Sequence, residues 1–124
     1  MLGFTKWRYQ NAATVEFGSP DDPVEGPYLA AYSPYHNVRS DRRYPLMIFV
    51  PALNDLVAPP HDALKMVARL QAEATKGGPY LLLPLRDSGH AGGTTLTALI
   101  EQNVDELSFY CWALDITPPS GDEA

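Results

Sequence analysis

The chain has 124 residues, 45% of them hydrophobic and 19% charged, and a net charge of −6. That length holds one domain or part of one, and the composition is that of a globular chain. The acidic balance argues against a nucleic-acid partner, the single cysteine excludes an internal disulfide framework, and no apolar run approaches the roughly 20 residues of a membrane span.

Residues 1–23 are mixed in character. Met1 to Tyr9 lack the continuous apolar stretch of a signal peptide, so a cytoplasmic protein is expected. Phe17-Gly18-Ser19-Pro20-Asp21-Asp22-Pro23 is a loop signal, and a short helix is expected over 24–32. Ser33-Pro34-Tyr35-His36-Asn37 reads as a turn, because the proline pushes residue 33 out of the helical region. Arg39-Ser40-Asp41-Arg42-Arg43 reads as a solvated loop. Residues 45–51 are apolar without alternation, as in a parallel strand covered on both faces.

Pro59-Pro60 opens a helix expected to run to about Lys76, since proline at the first helical position loses no hydrogen bond. Gly77-Gly78 ends it, and residues 79–84 form a second strand. A last helix is predicted from about Thr94. Leu96, Ile100, Val104, Leu107, Cys111 and Leu114 recur at spacings of three and four, the apolar face of a helix of about five turns. Cys111 lies on that stripe and is expected to be a buried structural thiol. Residues 1–115 are thus read as one partial α/β domain and 116–124 as a polar tail.

Strand, helix, strand, helix implies parallel strands flanked by helices. Two such strands make a poor sheet, and the inner edge of the first would be apolar and unpaired. The pattern is that of the C-terminal portion of a larger sheet.

In open parallel sheets, the loops after the C-terminal ends of strands gather on one edge. Asp55 follows the first strand and His90 the second, so their side chains can meet. An imidazole can take and return a proton, and a carboxylate on its other nitrogen fixes the tautomer. An acid loop followed by a histidine loop is the later part of the Ser…Asp…His order of α/β-hydrolases. The serine of that order sits on Gly-x-Ser-x-Gly, and none of Ser19, Ser33, Ser40, Ser88, Ser108 and Ser120 does. From spacing alone, a catalytic pair and an unrelated strand-end acid with a loop histidine both stand. Gly89, Gly92 and Gly93 would let the histidine loop pass close to a substrate. His61-Asp62 suits a helix start, with the acid at the positive end of the dipole. His36 reads as structural. No histidine or cysteine cluster has metal-ligand spacing, no glycine-rich phosphate loop follows a strand, and no cofactor is implied.

These segments together resemble the prolyl oligopeptidase family of serine peptidases. Tyr32-Ser33-Pro34-Tyr35-His36-Asn37-Val38 is similar to the segment before the family's penultimate strand, and Tyr44 to Val50 to that strand. Leu53-Asn54-Asp55 resembles its aspartate loop, and Ser88-Gly89-His90-Ala91-Gly92-Gly93 its histidine loop. The likeness runs from residue 1 to about 115. It implies an α/β-hydrolase catalytic domain that cleaves short peptides through an acyl-enzyme, with Asp55 and His90 at the triad positions. The nucleophile would lie N-terminal to Met1. Substrate-pocket positions implied by the resemblance are Ala13, Phe17, Val57 and Ala58. Val57 stands where the family usually has an arginine, Ala13 where proline-specific members have a tryptophan, and Ala91 where the family commonly has glycine.

The resemblance implies a serine-type oligopeptidase, of which these residues are the Asp- and His-bearing C-terminal part. Its partners would be a short peptide substrate and either the missing N-terminal half or a second copy of the chain; no nucleic acid or membrane is expected. The alternative is an inactive fragment that acts as an interaction module through its exposed sheet edge. A self-contained hydrolase using Thr94 or Thr95 is disfavoured, because a helix-start threonine lacks an adjacent base.

Overall fold

The computed structural model describes residues 2–6, 13–90 and 95–118. A 3-10 turn at Phe4–Lys6 and a one-turn helix, α1 (Thr14–Phe17), precede α2 (Glu25–Tyr32). Two side chains set the ends of α2. Asp22 Oδ1 accepts the N–H groups of Val24 at 2.7 Å and Glu25 at 3.0 Å, satisfying donors that a helix start leaves without partners. At the other end Asn37 Nδ2 donates to the carbonyls of Ala30, Ala31 and Ser33. Gly26 is required by a close approach, since a Cβ there would stand 2.6 Å from the Pro20 carbonyl oxygen.

After a 3-10 turn at Tyr35–Asn37 come β1 (Arg43–Tyr44) and β2 (Met47–Phe49). Helix α3 (His61–Glu73) leads to β3 (Lys76–Gly77) and β4 (Tyr80–Leu82). Both pairings are parallel: β1 with β3 through Arg43↔Lys76, and β2 with β4 through Met47↔Tyr80, Ile48↔Leu81 and Phe49↔Leu82. The second ladder continues past the strand ends through Leu83 N–H to Phe49 O, Leu85 N–H to Pro51 O and Leu53 N–H to Leu85 O, each 2.9 Å. The expected strands at 45–51 and 79–84 are therefore present with shorter regular cores.

The core lies between α3 and the paired strands. Leu70 is fully buried, and Val38, Ala74 and Tyr80 pack with it, flanked by Tyr44, Met47, Phe49 and Met66. Three expectations need correction. Helix α3 stops at Glu73 rather than near Lys76, because Lys76–Gly77 is claimed by pairing with β1. The apolar inner edge expected for the first strand is not bare either, since its Ile48 and Val50 are half-buried.

The third correction concerns α4 (Leu96–Leu114). The helix starts as expected, with Thr95 Oγ1 accepting the Ala98 N–H at 3.2 Å, and stops at Asp115 in the left-handed conformation. Its apolar stripe, however, faces outward: Leu96, Ile100, Val104, Leu107 and Leu114 are all exposed, and Cys111 is only half-buried. No residue of α4 is buried; the opposite side, Ala98, Gln102, Glu106, Phe109 and Ala113, is half-buried like Cys111. Periodicity reports that a helix has an apolar face, not which neighbour receives it.

Candidate active site

Asp55 sits in the loop after β2. Its N–H donates to the Ala52 carbonyl, and its Oδ1 accepts the N–H groups of Val57 and Ala58, both at 2.8 Å. This local turn is one an aspartate makes readily, since a carboxylate can mimic a main-chain acceptor two residues back. It holds the carboxylate still and leaves Oδ2 for a more distant partner. His90, 35 residues on in the loop after β4, places Nδ1 at 2.9 Å from that oxygen. The carboxylate side chain is only 9% exposed and the imidazole 60%.

A carboxylate can only accept, so in the neutral imidazole this contact puts the proton on Nδ1 and leaves the Nε2 lone pair to take another. Burial by itself would raise the Asp55 carboxyl, but the hydrogen bonds from Ala58, His90 and Val57 outweigh it. The net effect holds Asp55 below its ordinary value. Among the described residues, no serine or threonine hydroxyl is hydrogen-bonded to His90.

A cleft of about 470 Å³ lies beside the pair, walled by residues that include Pro51, Ala52, Ala58, Leu85, Gly89 and Gln102. Of the pocket positions implied by sequence, Ala58 lines this cleft, and Val57 supports Asp55 through its N–H while its side chain is exposed. Ala13 and Phe17, at α1, are not among its walls, and the Phe17 ring is exposed. Ala91, Gly92, Gly93 and Thr94 lie outside the described residues. Thr95 serves as the cap of α4.

The other histidines are engaged elsewhere. Nδ1 of His36 is 2.8 Å from the hydroxyl of fully buried Ser33. Burial, and then positive charges including Arg69 and Lys65, lower the His36 pKa. His61 opens α3, with Nε2 3.4 Å from its neighbour Asp62. No group of acidic, histidine or cysteine side chains among the described residues could hold a metal ion, and no helix there is long and apolar enough to cross a membrane.

Two site residues escaped the sequence reading. Gln102 reaches the cleft from α4, 47 positions after Asp55, and nothing local marks it. Asn54 had a signal, its position beside Asp55, and its amide bonds across to the histidine loop.

The sequence profile of the prolyl oligopeptidase family matches residues 1–117. Over 120 residues the chain is 38% identical to prolyl oligopeptidase dbiP of Dendrothele bispora, a match covering 94% of this chain and 16% of that protein. It is 31% identical over 118 residues to a prolyl endopeptidase of Elizabethkingia miricola, covering 94% of this chain and 17% of the relative. Among solved structures, a prolyl endopeptidase superposes with a TM-score of 0.87 at 32% identity, covering 94% of this chain and 17% of its own. Prolyl oligopeptidase B from Galerina marginata, bound to a 35mer hydrolysis and macrocyclization substrate, superposes with a TM-score of 0.86 at 27% identity, with 97% and 17% covered. The chain thus spans about a sixth of the length of the relatives it matches. With its parallel strands, flanking helices and near-complete superposition on these α/β-hydrolase catalytic domains, the chain belongs to the prolyl oligopeptidase family.

Proposed function

We propose that this chain supplies the aspartate and histidine of a serine-type oligopeptidase, in which a serine from outside these 124 residues attacks the peptide carbonyl. The observation that carries this reading is the 2.9 Å contact between Asp55 Oδ2 and His90 Nδ1, in the loops after the paired parallel strands β2 and β4 of a prolyl oligopeptidase-type fold. His90 Nε2 takes the hydroxyl proton as the serine attacks and returns it to the leaving amine; Asp55 stabilises the imidazolium between those steps. An acyl-enzyme forms and water releases it by the reverse transfer. Short peptides are the proposed substrates. With Val57 in place of a cation and Ala13 in place of a large aromatic ring, the anchoring of substrate carbonyls and of a proline ring falls to other residues.

The nucleophile-bearing part would also be the docking partner. The outward stripe of α4 and the edge of β2 that does not pair with β4 are the surfaces left for it to cover. The same surfaces favour a second reading, an interaction module without catalysis.

A chimera separates the two. These 124 residues replace the matching segment of the Dendrothele bispora relative, and turnover of a fluorogenic dipeptide is measured. Hydrolysis that is lost in H90A supports the peptidase reading. A folded chimera with no turnover above H90A sinks it and leaves the interaction module.

A further inference from the structure

Beyond the bond from Leu85 N–H to the Pro51 carbonyl, the loops that carry Asp55 and His90 are joined by three more hydrogen bonds. Leu53 N–H donates to the Leu85 carbonyl at 2.9 Å, and Asn54 N–H to the Ser88 carbonyl at 3.1 Å. The third is different in kind: the side-chain Nδ2 of Asn54 donates to the Arg86 carbonyl at 2.9 Å. The first two use main-chain groups that almost any residue offers. The third needs a donor atom three bonds from Cα, which few side chains supply. Asn54 is exposed, so packing does not account for its amide.

We propose that Asn54 is a positioning residue whose carboxamide pins the start of the histidine loop, so that His90 Nδ1 stays within reach of Asp55. Arg86 and His90 are separated by only three residues, one of which, Ser88, is itself buried and held by the Asn54 N–H. One residue therefore fixes the loop at two points while its chain neighbour supplies the carboxylate. The consequence is chemical. In water a neutral imidazole favours the Nε2–H tautomer, which cannot act as a base at Nε2. The Asp55 carboxylate reverses that preference only while the two loops stay in register. The inference concerns the geometry of the pair, and depends on the peptidase reading only for its catalytic meaning.

Long-range ¹H–¹⁵N spectra of the labelled 124-residue chain read the His90 tautomer directly. The expected wild-type signature is Nδ1–H, and D55A gives the pattern of a ring without its acceptor. N54A is expected to move toward the D55A pattern while keeping cooperative unfolding, as befits an exposed position. A folded N54A that retains the Nδ1–H signature overturns the proposal. Loss of cooperative unfolding in both N54A and the smaller polar N54S makes Asn54 a residue of the fold, and overturns it too. A chimera that is inactive while the tautomer behaves as expected counts against the peptidase reading alone.

Discussion

The side-chain amide of Gln71, on α3, donates to the main-chain carbonyl of Tyr80, on β4, at 2.8 Å. The bond ties the crossover helix to the strand that leads to the histidine loop, one position along from fully buried Leu70. Q71A should cost about 0.5–1.5 kcal/mol, the net value of one hydrogen bond. L70A removes core volume and should cost about 2–5 kcal/mol. Urea unfolding of both variants checks the ranking; equal losses would mean that the core is not centred on Leu70.

Gly77 is held at φ +106°, and a Cβ there would stand 2.0 Å from the carbonyl oxygen of Tyr44. No flexible side chain can give way, since the obstacle is the backbone of the paired strand. G77A should destabilise the chain by at least about 1–3 kcal/mol and break the β1–β3 pairing first. Hydrogen exchange at Gly78, whose N–H donates to the Tyr44 carbonyl, reports that loss.

Acidification acts on Asp55 with a definite sign. Its carboxyl titrates lower in the folded chain than in the unfolded one, so its contribution is fully present above the unfolded value of about 3.8. That contribution is lost as pH falls through the folded value. Thermal midpoints followed from about pH 6 down to 2 should fall less steeply for D55N than for wild type. The slope should not vanish, because Asp22, also lowered by its bonds to the Glu25 and Val24 N–H groups, adds a share of the same sign. Parallel curves for the two proteins would show that the Asp55 hydrogen bonds do not survive in solution.

The outward face of α4 should drive self-association of the isolated chain. Val104 and Leu107 are 56% and 60% exposed on the same side of the helix. Sedimentation is expected to show mass rising with concentration for wild type and a monomer for V104K/L107K. A monomeric wild type at all concentrations would show that this face needs no cover.

The sequence carried the main architecture because its strongest signals were local. The unbroken apolar run at 45–51 and the paired prolines at 59–60 mark a buried parallel strand and a helix start without reference to anything distant. The Asp55–His90 contact was legible for a topological reason: loops after consecutive parallel strands share an edge. The β1–β3 pairing was not legible, since Arg43–Tyr44 and Lys76–Gly77 are too short to show a period and the latter looks like a helix stop. The orientation of α4 was also hidden. Its stripe of Leu96, Ile100, Val104 and Leu107 is the same whether the neighbour lies on one side or the other. Gln102 lines the cleft because that orientation turns the side of α4 opposite the stripe toward it.

The cross-loop bonds from Leu53 and Asn54 have a kinetic and entropic consequence for assembly. Because they close within the parallel ladder itself, the acid and the base are already ordered when the ladder forms. On the proposed peptidase reading, a serine arriving from another segment would meet two loops already joined, and need only bring its hydroxyl to one imidazole nitrogen. Ordering two flexible loops at the moment of docking would subtract from the affinity of that encounter, and here the loss is taken during folding instead. The Asp55–His90 pair is thus a property of the folded ladder itself, in place before any docking event.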